Sequence, residues 1–358
     1  MKFIYKSFLA VLCLVTSLYS VSVRVLLSDD TQQDWSLSSD RGLVVKDHKT
    51  NRFFPRGMTC KTLHIKAEKD VIFINNKKFT ARQIWIEPLD GVISYKGNEY
   101  DGDFSLVYEK NKWHLVNVLD VEEYVYSVLK TESWPGWPLE VNKAFAVACR
   151  SYLLHQLLMS EQKEAPYHIK NTNYHQTYQG LHANDVIRQA VEETRGIFLA
   201  HKDYPILAMF DCCCGGVIPS KIADHIDFTK APYLARSYAC TYCKDSKLFR
   251  WSATYSIEQL TDMFKNGRPD TPCLGVRDIR IVQKDKAGVV QKVSLKTSRG
   301  SISLKVREVY RIFKGVKSYC FSILKKGKTV TMQGKGYGHH IGMCQWGARE
   351  MVRQGSTY

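Results

Sequence analysis

The stretch Asp120–Tyr152, DVEEYVYSVLKTESWPGWPLEVNKAFAVACRSY, decides the fold of this chain, because two helical patterns lie on either side of a Trp- and Pro-rich break. Apolar residues recur on one helix face over 121–129. Asp120 is a typical N-cap, and Glu123 is placed to complete a capping box. The run 131–138 breaks this helix, and a second amphipathic helix begins near Pro138. The stretch therefore predicts two helices joined by a tight elbow.

Glu132 lies in this elbow and has the setting expected of a general acid. The partial negative charge of a helix C-terminus disfavours a second negative charge and raises a carboxyl pKa. Trp134 and Trp137 would also desolvate the carboxyl, and their flat faces suit sugar rings. Spacing alone favours a different interpretation, a solvated loop carboxylate beside two core tryptophans. Glu132 is nevertheless a catalytic candidate, with Trp134 and Trp137 as substrate-binding candidates.

The segments on either side of the elbow predict an α+β fold. Residues 23–118 alternate like strands separated by Gly, Asn and Asp turns, which indicates a β-rich N-terminal part. Residues 119–358 are predicted to form a helical and mixed-sheet part. Its further elements are a helix over 184–195, strands at 197–200 and 206–210, an irregular region over 244–275, three strands, a short helix at 309–313 and a helix from Met343.

Composition excludes several classes of protein. The 358 residues are 44% apolar, 12% aromatic and 24% charged, which argues against a disordered, collagenous or coiled-coil chain. We expect about two domains from the length. The sequence has 51 Lys and Arg against 35 Asp and Glu, a net charge of +16. Such a charge attracts polyanions or anionic membrane surfaces at long range, although a solvated basic surface without such a partner is the more usual explanation.

Residues 1–22 are typical of a signal peptide or an N-terminal membrane anchor. Lys2 and Lys6 precede an apolar stretch, Phe8–Tyr19, that is shorter than a usual spanning helix. We therefore expect an exported protein, in the periplasm or on the extracytoplasmic face of the inner membrane. Export makes nucleic acid an unexpected partner, because that polymer lies on the other side of the membrane.

Eleven cysteines are many for a cytosolic chain and are compatible with an oxidising compartment outside the cytoplasm. Two clusters lie about thirty residues apart, and they contain Cys212, Cys213, Cys214, Cys240 and Cys243. Cys212 or Cys213 with Cys214, Cys240 and Cys243 could form a tetrahedral structural zinc site, while disulfides or free thiols fit the same residues. A nucleophilic cysteine is the least supported interpretation, because no partner base can be assigned.

A second candidate ligand-binding segment is the Gly-rich run 334–348, GKGYGHHIGMCQWGA. Such a loop brings backbone N–H groups close to a ligand and presents His339, Gln345 and Trp346 as polar or stacking groups. It lacks the Gly-Lys-Ser/Thr ending of a nucleotide-binding loop. Adjacent histidines of this kind are more often structural than metal-bound.

Three segments together resemble the SpoIID/LytB family, the sporulation stage II protein D group of bacterial cell-wall proteins. The elbow stretch follows the family pattern YLxGVVxxEMxxxWPxEALKAQAVAARTY without gaps. The segment 175–180, HQTYQG, and the Gly-rich run, similar to the family's GxGWGHGVGMSQWGA, complete the match. The chain departs from the pattern at Ser133, His340 and Cys344, and at Asp211 with the three cysteines after it. We therefore carry over no family metal site.

The resemblance implies a peptidoglycan lytic transglycosylase in which Glu132 is the single general acid and base. It implies no cofactor for the chemistry, although a structural zinc is compatible. It places the substrate, glycan strands stripped of stem peptides, between the elbow and the Gly-rich loop. Tyr178 would be a substrate contact and Arg150 would hold the muramyl carboxylates. An N-acetylmuramoyl-L-alanine amidase is the expected protein partner.

Two other functions remain open from the sequence. One is a non-catalytic glycan-binding module that stimulates a wall amidase. The other is a metal hydrolase built from the cysteines and histidines.

Overall fold

The structure is a computed structural model that describes residues 21–358 except 29–33, 55–58, 135, 162, 164, 173–174, 220–227, 237 and 272–274. Residues 1–20, where the predicted signal peptide or anchor lies, are outside this range. Among the helices described, none combines the length and apolar character needed to cross a membrane.

The N-terminal part is one large sheet. Alternating residues turn to its buried face, as in the fourth strand, where Leu63, Ile65 and Ala67 are buried and His64 and Lys66 are exposed. The strands are β1 (Ser22–Ser28), β2 (Asp34–Asp47), β3 (Phe53–Phe54), β4 (Cys60–Glu68), β5 (Val71–Ile74), β6 (Lys77–Phe79), β7 (Gln83–Pro88), β8 (Ile93–Tyr95), β9 (Asn98–Tyr100), β10 (Asp103–Glu109) and β11 (Lys112–Asp120).

Three helices follow the sheet, and the third is the shortest. They are α1 (Val121–Glu132), α2 (Leu139–Glu161) and α3 (Asp185–Glu193), and between the last two lies β12 (Ile169–Lys170). β12 joins the sheet in the order β12-β1-β11-β10-β7-β2-β4-β5-β6. β3 and β8 also pair with β2, and β9 pairs with β8. The α1 helix starts directly where β11 ends, so the sheet fixes its direction.

The rest of the chain is a mixed part. Its elements are β13 (Ala200–His201), β14 (Tyr204–Pro205), β15 (Phe210–Asp211), a 3-10 turn (Pro232–Leu234), β16 (Arg250–Ser256), α4 (Ile257–Gly267), β17 (Val276–Lys284), β18 (Val290–Thr297), β19 (Gly300–Lys305), α5 (Val306–Ile312), β20 (Cys320–Lys326), β21 (Thr329–Lys335), β22 (Met343–Cys344) and α6 (Gln345–Arg353). β17-β18-β19 and β16-β21-β20 form two three-stranded antiparallel sheets, and β15 pairs in parallel with β22.

Two main hydrophobic cores hold these elements. The first joins the large sheet to the helices that follow it, because Val25 and Phe104 of the sheet belong to one buried cluster with Val125 and Phe145 of α1 and α2. The second is formed within residues 255–332, around Phe264, and joins the two small sheets to α4 and α5. The predicted division at 118/119 therefore does not separate two cores.

The α+β prediction is confirmed, with the β-rich part at the N-terminus. Several local predictions are wrong. Glu123 does not complete a capping box but pairs with Arg188, while Asp120 alone caps α1 through the Glu122 N–H at 2.7 Å. Strands at 197–200 and 206–210 shrink to the two-residue β13 and β15, and the region 244–275 contains β16 and α4 instead of irregular chain.

Candidate functional site

Glu132 is the last residue of α1, and its side chain is half-buried. One carboxylate oxygen, Oε1, accepts a hydrogen bond from the backbone N–H of Thr177 at 2.8 Å. The Thr131 hydroxyl donates to the Thr177 carbonyl at 2.6 Å, so the end of α1 is bonded to the 175–180 segment twice. These contacts hold the carboxyl in one orientation.

The pKa of the Glu132 carboxyl is raised above its ordinary value. Burial is the main cause, because it disfavours the charged form, and the N–H of Thr177 opposes it by stabilising that form. The direction agrees with the sequence prediction.

The elbow after Glu132 is locked by side-chain to backbone bonds. Ser133 closes α1 with its N–H on the Leu129 carbonyl, and its hydroxyl donates to Asn142 Oδ1 at 2.6 Å. The Asn142 amide donates in turn to the carbonyls of Trp137 and Pro138. Because Ser133 and Asn142 are both buried, the elbow has a fixed shape beside the carboxyl.

Three tryptophans from two distant segments meet beside the elbow. The Trp134 and Trp137 rings stack with centroids 6.2 Å apart. Trp346 of α6 meets both edge-on, at 6.0 and 5.8 Å. Trp137 is buried and also packs on Phe145, whereas Trp134 is 40% exposed and Trp346 is half-buried. Trp134 and Trp346 can therefore present apolar faces to a ligand, while Trp137 mainly supports them.

Gln345 joins the Gly-rich run to the elbow. Its side-chain amide donates to the backbone carbonyl of Glu132 at 3.2 Å, across 213 positions of sequence. The side chain is buried, so it positions the end of α1 instead of facing a ligand. The predicted meeting of elbow and Gly-rich run thus occurs through Gln345 and Trp346.

The His339 ring bonds to groups of the Gly-rich loop and its neighbour β15. Its Nδ1 accepts from the Ile341 N–H at 3.1 Å, and the Phe210 carbonyl is a second partner of the ring. Burial and the neighbouring His340 lower the pKa of His339 to about 4. The ring therefore supports the loop, and the predicted contact of this half-buried residue with substrate stays a prediction.

Asp211 is the residue that shapes the Gly-rich loop. Its buried carboxylate accepts the backbone N–H groups of His339 at 2.8 Å and His340 at 3.0 Å. Burial raises the pKa of Asp211 well above its ordinary value, against these two bonds. Gly338 has φ +120°, and a Cβ there would lie 1.7 Å from Asp211 Oδ1, so only glycine fits this position.

Arg150 and Tyr178 belong to the core, which contradicts their predicted substrate contacts. The guanidinium of Arg150 is 1% exposed, forms a two-pronged ion pair with Glu122, and donates to the Ile197 carbonyl. The Tyr178 ring is 2% exposed and stacks on Tyr124. Neither side chain reaches the surface where a glycan would lie.

The cysteine cluster differs by one residue from the predicted set. The sulfurs of Cys214, Cys240, Cys243 and Cys344 all lie within 4.8 Å of one another. Cys212 is outside this group, because the β15–β22 pairing places Cys344 there instead. The pKa of Cys243 is lowered, chiefly by a hydrogen bond from Cys213.

Comparison with known proteins assigns this arrangement to a family. The family model described as Stage II sporulation protein matches residues 109–201, which include Glu132 and the elbow. An uncharacterized protein of Brachyspira hyodysenteriae is 30% identical over 337 residues, covering 94% of this chain and 89% of that protein. The chain belongs to the SpoIID family.

Other matches extend the SpoIID relationship. Stage II sporulation protein D of Bacillus subtilis is 25% identical, over 68% of this chain and 71% of that protein. The Amidase enhancer of the same organism is 25% identical over 83% of this chain, which spans only 48% of that protein. A model of a domain of unknown function matches residues 234–342, the region that contains the second core.

Sequence reasoning missed several residues that build the SpoIID site. Thr177 acts through its backbone N–H, which no side-chain pattern signals. Asn142 is an ordinary polar residue on α2 until the elbow geometry is known. Asp211 and Cys344 did carry a signal, because both stand where the SpoIID pattern has other residues. At these two positions, the differences from the SpoIID pattern pointed to structurally important residues better than the matching residues around them did.

Proposed function

We propose that this protein is a cell-wall lytic transglycosylase that cleaves the β-1,4 bond between N-acetylmuramic acid and N-acetylglucosamine in glycan strands. The observation that carries the proposal is Glu132, a half-buried carboxyl with a raised pKa that the Thr177 N–H holds in place. The elbow that follows it carries the packed rings of Trp134, Trp137 and Trp346, called the tryptophan wall below. A carboxyl tuned in this way can give a proton to a leaving oxygen and take one back.

The proposed reaction needs one carboxyl and no water. Protonated Glu132 gives its proton to the bridging oxygen while the bond from that oxygen to the muramyl anomeric carbon breaks. The muramyl O6 attacks the same carbon, and its proton passes to the Glu132 carboxylate. The products are a 1,6-anhydro muramyl end and a free 4-hydroxyl on N-acetylglucosamine. Hydrolases that pair two carboxyl groups activate water or form a covalent intermediate instead.

The surroundings of Glu132 support a sugar substrate. Trp134 and Trp346 offer apolar faces for pyranose rings at the mouth of the site, and Trp137 fixes their angle. In this proposal the chemistry requires no cofactor. The net charge of +16 favours glycan that keeps its lactyl carboxylates, although Arg150 is not available to bind them.

The experiment is a digest of purified glycan strands, with and without stem peptides, by the full chain. The wild-type protein and Glu192→Gln, which changes an exposed glutamate on α3, should both give anhydro ends by mass spectrometry. Glu132→Gln should give none while remaining folded. Absence of anhydro ends from every glycan with folded wild-type protein would overturn the proposal.

A second function has a specific observation in its favour, the match to a relative named Amidase enhancer. In that case the same wall of tryptophans would grip glycan without cutting it, and the partner would be an N-acetylmuramoyl-L-alanine amidase. Stimulation of such an amidase by Glu132→Gln as fully as by the wild type would favour this function. Both proposals place the protein outside the cytoplasm, in the periplasm or on the outer face of the inner membrane.

A further inference from the structure

The four clustered cysteines come from three separate parts of the chain. Cys214 follows β15, Cys240 and Cys243 lie in a Cys-x-x-Cys turn, and Cys344 ends β22. Their sulfurs lie mutually within 4.8 Å. Three of the four are buried, and Leu248 and Phe249 pack around the cluster. Four thiols therefore converge on one point in an apolar enclosure.

The spacing of the sulfurs fits a metal ion. Four thiolates around a tetrahedral zinc at about 2.3 Å would stand about 3.8 Å apart, far beyond the roughly 2.05 Å of a disulfide. The Cys214 and Cys243 sulfurs are 3.6 Å apart. All four sulfurs are close to each other at once, whereas disulfides would draw them into two separate pairs.

Backbone groups already surround the sulfurs as they would around bound thiolates. The N–H of Cys214 and the N–H of Gly347 both donate to the Cys344 sulfur at 3.3 Å. The Cys214 sulfur has Arg236 as a hydrogen-bond partner, which would offset part of the negative charge of four thiolates. Gly347 is needed for space, because a Cβ there would lie 2.8 Å from the Cys240 sulfur.

We propose that Cys214, Cys240, Cys243 and Cys344 bind one structural zinc ion, and that this ion fixes the Gln345–Trp346 segment against the Glu132 elbow. Cys344 is the N-cap of α6, so the next two residues are the ones that reach the elbow. Gln345 bonds the Glu132 carbonyl, and Trp346 packs on Trp134 and Trp137. Four thiolate ligands fill a tetrahedral zinc and leave no position for substrate, so the ion is structural and no metal-hydrolase chemistry follows.

Metal binding does not depend on the proposed function, because it is measured without glycan. The full chain, purified in the absence of chelators, should contain one zinc per chain by elemental analysis. Exchange for Co²⁺ should give the sulfur-to-metal charge-transfer and intense visible bands of a tetrahedral thiolate site. Mass spectrometry of the denatured, unreduced protein should show no disulfide among these four cysteines, since each disulfide would lower the mass by two hydrogens.

Variants then test the ligand set. Cys240→Ser/Cys243→Ser should lose the zinc completely, whereas Cys212→Ser, a neighbour of the cluster outside it, should keep one zinc per chain. Wild-type protein that holds no zinc after folding with the metal present, or that carries the four cysteines as two disulfides, would overturn the proposal. Equal loss of zinc in Cys212→Ser would overturn the ligand assignment.

The positioning role has its own readout. Removing zinc from folded wild-type protein should change the tryptophan fluorescence and near-ultraviolet circular dichroism, because Trp346 would leave its edge-on contacts. Trp346→Phe protein should show a much smaller change on the same treatment. An unchanged spectrum on zinc removal would contradict the positioning role, even if the protein holds one zinc per chain. This result does not depend on whether the protein cleaves glycan.

Discussion

At the scale of single residues, the chemistry of the site depends on a balance at Glu132. Burial raises its pKa and the Thr177 N–H lowers it, with burial as the larger effect. A carboxyl left in water would be almost fully ionised near neutral pH and could not act as an acid. A carboxyl buried without a donor would hold its proton and could not act as the base in the second half of the reaction.

The pH dependence of cleavage follows from this raised pKa. A general acid works in its protonated form, so kcat/KM should fall as the pH rises through the Glu132 pKa. That alkaline limb should lie above the ordinary glutamate value of about 4.3. Rates on soluble glycan across pH would measure it, with folding monitored by circular dichroism at each pH. A limb at or below the ordinary value would contradict the account of burial.

The buried pair of Arg150 and Glu122 makes a second prediction at this scale. Glu122→Gln leaves the guanidinium buried without its counter-charge and should lower the free energy of unfolding by about 3–5 kcal/mol. Glu68→Gln is the matched control, since it removes an exposed partner of Lys66 and should cost less than about 1 kcal/mol. Urea unfolding measures both. A small loss in Glu122→Gln with weakened glycan binding would instead restore a substrate role for Arg150.

At the scale of elements, the Gly-rich loop and α6 position Gln345 and Trp346 against the Glu132 elbow. β15 pairs with β22, Asp211 holds the loop between them, and α6 then starts at Cys344. Sequence periodicity located α1, α2 and α3 well, although residues 124–129 of α1 and 145–151 of α2 are buried on every face. It failed for α4, although Ser256 and Gln259 form a readable capping box there. It also gave strands at 197–200 and 206–210, where Ile197, Phe198 and Leu199 are exposed and the strands β13 and β15 include just one residue of each segment.

The loop geometry predicts the effect of replacing Gly338. Gly338→Ala meets both an unfavourable φ of +120° and the Asp211 carboxylate, so it should destabilise the protein by more than about 3 kcal/mol. Gly300→Ala shares the backbone strain at φ +124° but meets nothing within 4 Å, and should cost about 1–2 kcal/mol. Thermal unfolding compares the two. Equal losses would show that Asp211 does not fix the loop.

The tryptophan wall predicts where glycan binds. Trp134→Ala removes the exposed face and should weaken binding of denuded glycan about tenfold, near the 0.5–1.5 kcal/mol typical of an aromatic contact. Tyr204→Ala, at an even more exposed aromatic residue on β14, should leave binding unchanged. Co-sedimentation or calorimetry measures both. Equal affinity of Trp134→Ala and wild type would remove the wall from the binding site.

At the scale of the whole molecule, the first core and the C-terminal segment together build one site. The sheet and α1 to α3 form the first core and hold Glu132, whereas the returning C-terminal segment supplies Gln345 and Trp346. The sequence predicted the fold class, the elbow and the catalytic candidate, because these depend on local periodicity and on matched segments. It could not predict that Arg150 and Tyr178 face the core, or that Cys344 replaces Cys212, because those depend on packing between residues far apart in sequence.

The most direct test of the central claim is cleavage of glycan strands in water enriched with oxygen-18. The account predicts muramyl ends that are lighter by one water than hydrolysed ends and contain no oxygen-18, from wild type and not from Glu132→Gln. New muramyl ends that carry oxygen-18 and are not anhydro sugars would mean that water attacks the anomeric carbon, and would contradict the account.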